Sequence, residues 1–452
     1  MTRRIAFYLP RSNHLRISAP IIQHLCRHQS HRYEVAILYP AWPIGKRALQ
    51  VEPDKLAALF GAHVSVHALS SPELLEETIL RQHLEAVVST TTEVAEIEPQ
   101  LLRQIMARTR QAGVKWLTLP YTFHQERLAI TQPASLLASW DVVCVPSRRS
   151  IDFIEGQLRR QAPALVQPVT SRLAVIGYPE LDGIHTLDRA AILKKYALPT
   201  DRPIVYVSTA ANFSLQGGWT SRHAGYEQRF RGRRESSASG VVSRLLSYRT
   251  PVVIPYRQYL ARLRELADRT GACLIAKTRA KHQDPAYVQE YCDRVFDDVT
   301  YVPFTTLELL SVSNLYVGFS SLSVLESITL GVRSFTLVSM PLGVLFSSPF
   351  DRACADAFLV GAGGLWNTPG VSEWIDGTAR SGYAALERLA RLPSSDWRID
   401  PVGQQRLLDA FLPSIGRSAE AFCDVLSRLW EAKDGGVGAT ASVDATAEGM
   451  LR

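Results

Sequence analysis

Three short stretches of the sequence concentrate residue types that could do chemistry. The first is Asn314–Leu337, NLYVGFSSLSVLESITLGVRSFTL. An apolar run ends in Gly318, Phe319, Ser320 and Ser321, and a helical pattern opens at Ser321 or Ser323. A glycine at position 318 would let the backbone approach a ligand. The start of a helix presents unpaired N–H groups and the positive end of its dipole, both suited to phosphate. Ser320, Ser321 and Ser323 add hydroxyl donors, and Glu326 on the first turn could accept hydrogen bonds from a ribose. The same residues also fit a serine N-cap with a glutamate three positions on, a capping box of structural value only.

The second stretch is KTRAKH, in which Lys277, Arg279, Lys281 and His282 follow the apolar run ACLIAKT. Clustered cations of this kind neutralise a diphosphate and its leaving group. The sequence contains no Asp-x-Asp, so a divalent metal bridge is not implied and the cations would take its place. A solvated basic loop would look the same. The third stretch is TLPYTFHQERL, where His124 follows the apolar run VKWLTLP. Histidine is the usual general base near neutral pH, and Glu126 is a second candidate. A surface-loop histidine is the alternative. Two further loops follow early apolar runs. LPRSNHLRIS offers Arg11, Ser12, Asn13 and His14, and STTTE offers Glu93. Either could meet substrate hydroxyls or simply cap the next helix.

These residues need a scaffold that brings strand ends together. Buried-strand runs (RIAFYLP, YEVAILYP, HVSVHAL, EAVVSTT, VKWLTLP, DVVCVPS) alternate with helical patterns such as HLRISAPIIQHLCRH and EPQLLRQIMARTRQAG. A second series begins near Pro203 with PIVYVSTA, the helix YRQYLARLRELADRTG, then ACLIAKT, VTYVP, NLYVGFS and RSFTLV. Alternating strands and helices imply parallel sheets covered on both faces, whose strands lack strict apolar–polar alternation. In such sheets ligands bind at the carboxyl ends of the strands, where all three stretches fall.

At 452 residues, 46% hydrophobic and 21% charged, the composition is that of a soluble globular protein of two or three domains. The six cysteines form no C-x-x-C pair, which argues against a zinc site or disulfide framework and fits a reducing compartment. The net charge of +7 is too small to establish a nucleic-acid binder. The arginine-rich insertion RFRGRRESSASG lacks regular aromatic interleaving, so nucleic acid is not expected as a partner. No stretch has the ~18 apolar residues of a spanning helix, and the N-terminus does not read as a signal peptide. The expected location is cytoplasmic, at most peripheral to the inner face of a membrane.

The region from about Ser171 to Arg417 resembles the CDP-glycerol glycerophosphotransferases that build teichoic-acid-like polymers and, more broadly, the GT-B glycosyltransferases. IGYPELDGI (Ile176–Ile184) is similar to that family's inter-domain G-Y-P-x-x-D segment. LPTDRPIVYVSTA, DVTYVPFTTLELLSVSNLYVGFSSLSVLES and FLPSIGRSAEAFCDVL are similar to its strand entry, donor-site core and closing helix. Capsule Kdo transferases and UDP-N-acetylglucosamine 2-epimerases share the architecture and a similar Ser/Glu donor site. The sequence departs from the family at several points. His124 fits its W-H-G motif without the flanking Trp and Gly. His282 is displaced from its H-P pair. Asn314 and Gly318 stand where it has aspartates.

The resemblance implies an α/β protein of two doubly wound Rossmann-like domains facing across a cleft, the GT-B architecture. Residues 1–180 would form an acceptor domain, with 181–202 as a linker. Residues 203–417 would form a nucleotide-donor domain carrying an insertion at 211–250. A crossover helix at 418–433 would return to the first domain, and 434–452 would be a disordered tail. The implied reaction moves a sugar or polyol phosphate from a nucleotide-activated donor (CDP-, UDP- or similar) to a glycan or lipid-linked acceptor in surface-polysaccharide biosynthesis. His124 or Glu126 would be the base, and Arg11, Asn13, His14 and Glu93 would meet the acceptor. Lys277, Arg279, Lys281, His282, Gly318, Ser320, Ser321, Ser323 and Glu326 would hold the donor. No cofactor or metal is required. A nucleotide-sugar 2-epimerase and a catalytically silent binding protein of the same fold are the alternatives.

Overall fold

The computed structural model describes residues 2–10, 12–42, 53–61, 63–90, 97–120, 139–209, 256–278, 286–297, 300, 305–319, 323–338, 352–353, 355–376, 380–412 and 415–434. Two sheets organise them. The first contains β1 (Arg3–Tyr8), β2 (Tyr33–Pro40), β3 (Val64–Leu69), β4 (Ala86–Ser89), β5 (Lys115–Thr118), β6 (Val142–Val145) and β7 (Leu173–Val175), in the spatial order β3-β2-β1-β4-β5-β6-β7. The second contains β8 (Ile204–Ser208), β9 (Cys273–Lys277), β10 (Arg294–Phe296), β11 (Leu315–Phe319), β12 (Ser334–Val338) and β13 (Ser372–Asp376), in the order β10-β9-β8-β11-β12-β13. Neighbouring strands in both sheets run parallel, for example β1 against β4 and β8 against β11.

The apolar runs form strands because each side of the sheet is a core. Ile5, Phe7 and Leu9 enter one core of the first sheet, while Ala6 and Tyr8 enter the other. In the second sheet Ile204 and Tyr206 face one core, and Val205 and Val207 the other. Burial on both faces explains why polar residues do not interrupt these strands.

The flanking helices are α1 (Ser12–His28), α2 (Pro53–Phe60), α3 (Leu74–Arg81), α4 (Pro99–Gln111), α5 (Arg148–Gln161), α6 (Arg189–Lys195), α7 (Tyr256–Thr270), α8 (Thr305–Val312), α9 (Ser323–Thr329), α10 (Arg380–Ala390), α11 (Pro401–Phe411) and α12 (Ser418–Asp434). Several have the ends their residues prescribe. Glu98 precedes Pro99 and accepts a hydrogen bond from the Leu101 amide at 2.9 Å. Gly271 follows α7 at φ +67°, the left-handed conformation that ends helices.

The chain order reverses between β1 and β4 in the first sheet and between β8 and β11 in the second. These are the topological switch points, where open α/β sheets leave a crevice at the strand ends. The connection between the sheets is a 3-10 turn at Pro179–Thr186 followed by α6. The stretch read as a linker is therefore structured, and Ile192, Leu193, Tyr196 and Leu198 pack into the second core. The last helix, α12, joins the opposite core. Its Phe422, Leu426 and Trp430 are buried against the first sheet with Phe7 and Ile22. Among the described residues no helix is long and apolar enough to cross a membrane. The insertion at 211–250 and the tail from 435 onward lie outside the described residues.

Candidate functional site

At the second switch point, β8 ends in Ser208 and Thr209, β9 in Lys277, and β11 leads into α9. Thr209 hydrogen-bonds the Lys277 carbonyl through its hydroxyl at 3.0 Å, which ties the two strand ends together. Strand periodicity puts Lys277 on the same face as Cys273 and Ile275, and these two residues share a core with Val324 and Leu325 of α9. Lys277 is only 8% exposed. Gly318 lies on that face as well. A Cβ there would collide with the phenol of Tyr316, so packing alone accounts for the missing side chain.

Ser323 and Glu326 sit on α9 and are both buried. Glu326 is 1% exposed, and both carboxylate oxygens lack a hydrogen-bond partner among the described residues. Its charge is met by Arg16, whose Nη1 lies 3.4 Å from Oε1. Arg16 belongs to the other domain, where α1 starts directly after β1 at the first switch point. The Arg16 fork also reaches Glu180 of the connecting turn, with Nη2 3.0 Å from Oε2. One guanidinium thus bridges two buried carboxylates from two other parts of the fold. Burial pushes the Glu180 carboxyl up to about 7. Arg16 pulls it down, and the neighbouring Glu326 carboxylate pushes it up further.

The sequence-derived candidates divide accordingly. Lys277 and Gly318 lie near the carboxyl ends of β9 and β11, and Ser323 and Glu326 in the first turn of α9. His14 is not in a loop as expected, because the helix begins at Ser12 and encloses it. It lies within α1 with 1% exposure, two residues before Arg16. Asn13 is likewise helical. His124, Glu126, Arg11, Glu93, Arg279, Lys281, His282, Ser320 and Ser321 lie outside the described residues. Arg16 and Glu180 were not anticipated. A hint to Arg16 was a charged residue inside the apolar pattern of Leu15, Ile17, Ile21 and Ile22. Glu180 lay within the quoted G-Y-P-x-x-D segment without being singled out. Among the described residues, no group of three or more His, Cys, Asp or Glu is placed to hold a metal ion.

Comparison with solved structures places this geometry in a known architecture. A Listeria monocytogenes protein described as a UDP-N-acetylglucosamine 2-epimerase superposes with a TM-score of 0.55 at 12% identity, over 96% of this chain and 98% of that one. The UDP-GlcNAc 2-epimerase of Neisseria meningitidis, bound to UDP-GlcNAc, gives 0.53 at 11% identity over 95% and 100%. The wall teichoic acid polymerase TagF gives 0.54 at 12% identity over 96% and 90%. The fold is of the GT-B type. At these identities the likeness is one of fold, and it covers nearly the whole chain rather than the second half alone. No protein-family model matches the sequence, and no curated protein matches it either. In GT-B terms, Arg16 belongs to the first Rossmann-like domain, Glu326 to the second, and Glu180 to the segment between them.

Proposed function

We propose that this chain is an enzyme that transfers a sugar or polyol phosphate from a nucleotide-activated donor to a glycan or lipid-linked acceptor in cell-surface polysaccharide biosynthesis. One observation carries the reading: a buried carboxylate, Glu326, whose two oxygens accept no hydrogen bond from the described residues at the strand ends of the second sheet. A buried carboxylate needs donors, and the vicinal hydroxyls of a ribose supply two. Lys277 on the same side of the sheet offers the positive charge that a diphosphate requires. The structural neighbours include a polymerase of wall teichoic acid and an epimerase holding UDP-GlcNAc, which supports a nucleotide-linked substrate. His124, with Glu126 as second candidate, is the proposed base for the acceptor hydroxyl.

Calorimetric titration of CDP, UDP, GDP and CMP into the full chain tests the donor site. At least one should bind, and E326Q should weaken it by roughly tenfold or more, the loss of charge-assisted hydrogen bonds. Equal affinity in E326Q would remove Glu326 from the site. For the base, H124A should lower turnover by ~10²–10⁴ and abolish the acidic limb of the rate profile, with donor affinity retained. An intact acidic limb would exclude His124.

A second reading has its own observation. Glu180 and Glu326 place two carboxyl groups at the junction of the domains, and epimerisation of a nucleotide sugar needs acid–base groups around the sugar. Incubation with UDP-N-acetylglucosamine alone separates the two, since only an epimerase turns over without an acceptor.

A further inference from the structure

Among the described residues, two of the sets of side-chain contacts that join the domains differ in kind. The first is built on α5. Arg149 donates to the Ala357 carbonyl and lies over the rings of Phe358 at 5.2 Å and Phe411 at 4.7 Å. Phe153 meets Phe358 edge-on at 5.0 Å. None of these contacts involves an acidic partner that a ligand could exchange. The second is the ionic bridge, in which Arg16 holds Glu180 at 3.0 Å and Glu326 at 3.4 Å. Here a single cation serves two acids, and the Arg16 side chain keeps 20% of its surface exposed.

The bridge conflicts with the donor site as read above. A ribose that hydrogen-bonds both Glu326 oxygens has to share Oε1 with the Arg16 guanidinium, which lies 3.4 Å away. Leaving a guanidinium without a counter-charge in the protein is costly, but Arg16 already has a second acid in Glu180, whose carboxyl is ionised above about pH 7. Resting on the proposed nucleotide site at Glu326, we propose that Arg16 is a coupling residue that exchanges partners: it competes for Glu326 in the empty enzyme, and nucleotide binding transfers it wholly to Glu180. Binding in the second domain then removes an ionic tie to the first while the α5 joint persists as the pivot. The ligand shifts the equilibrium because it has different affinities for the bridged and unbridged states.

The exchange makes a signed prediction that a structural role does not. R16M removes the competitor while keeping an apolar stem, so nucleotide affinity should rise by roughly fivefold or more, the lower end of common couplings. E180Q removes the alternative partner, so Arg16 should hold Glu326 more firmly and affinity should fall by a similar factor. The measurement is calorimetric titration of UDP and CDP into the full chain for wild type and both variants. Opposite signs support the exchange. Weaker binding in R16M would overturn it and make Arg16 a nucleotide ligand instead. Should R16M not fold, R16K serves, because one ammonium lacks the fork that spans both acids. Its affinity should also rise, and weaker binding would overturn the exchange in the same way.

Hydrogen exchange on the ligand-free protein tests the bridge separately from the nucleotide reading. R16M should increase exchange across Ser323–Thr329, in the other domain, and unchanged exchange there would overturn the bridge. A wild-type chain that binds none of CDP, UDP, GDP or CMP would overturn the nucleotide site and the exchange with it. Raised exchange in R16M would then still support the bridge.

Discussion

Glu180 ionises near 4.5 in an unfolded chain and near 7 in the folded one, where burial opposes its charge. Between those two values the folded state holds a proton that the unfolded state has lost. Stability from this group therefore declines as pH rises through the window, and is constant on either side. E180Q carries no such charge, so its stability relative to wild type should improve as pH rises from 5 to 8. Urea denaturation of both proteins at those two pH values measures this. Parallel changes would mean that Glu180 ionises freely in the folded protein. The residue scale is also where the sequence said least about the site. Glu326 could be singled out as a candidate because a strand, a glycine, serines and a helix start form a local pattern. Arg16 and Glu180 could not, because their contacts exist only when three distant parts of the chain meet. A lone arginine in an apolar helix pattern carries no mark of what it will pair with.

The connecting turn works at the scale of elements, since it holds the last helix as well as the site. Asp182, two residues after Glu180, accepts hydrogen bonds from the amides of Ser418 at 2.9 Å and Ala419 at 2.6 Å. It caps α12 from the far side of the sequence. Nearby, Gly416 adopts φ +76°, and a Cβ on it would meet the ring of His185 at 2.6 Å. D182A should cost about 0.5–2 kcal/mol, the range for a lost N-cap. The earliest sign should be faster hydrogen exchange at the start of α12, and unchanged exchange over residues 418–422 would show that water replaces the cap fully. Helix and strand placement was largely legible. β1, β2, β4 to β6, β8, β9, β11 and β12 correspond to apolar runs because they are buried on both faces, and β3 to a run as well although it is an edge strand with Ser65 and Ala68 exposed. β7 and β10 escaped notice because they have only three residues each, and β13 because its sequence is polar. The polar sequence of β13, Ser372–Asp376, reflects its single neighbour in the sheet. VTYVP, expected to be a strand, falls outside the described residues apart from Thr300.

For the whole molecule, sequence order and spatial order diverge at the C-terminal helix. The first sheet ends at Val175, yet one side of its core is completed by α12, with Phe422, Leu426 and Trp430 buried. Burying such side chains contributes roughly 1.5–3 kcal/mol each, so the helix supplies on the order of 5 kcal/mol. That is comparable with the whole stability of a typical domain, about 5–15 kcal/mol. A fragment of residues 2–187 should therefore fail to fold cooperatively, because it lacks this cover. The geometry also indicates how to restore it. The guanidinium of Arg3, at the start of β1, lies 4.5 Å from the centre of the Trp430 ring, near the end of α12. The end of α12 is thus beside the beginning of β1, and a short glycine-rich linker could join them directly. A permuted fragment with residues 416–434 placed ahead of 2–187 should melt in one cooperative transition, and the unpermuted fragment should not. Equal cooperativity in the two would mean that α12 packs on a domain already complete, and the first domain would then be a contiguous unit of the chain.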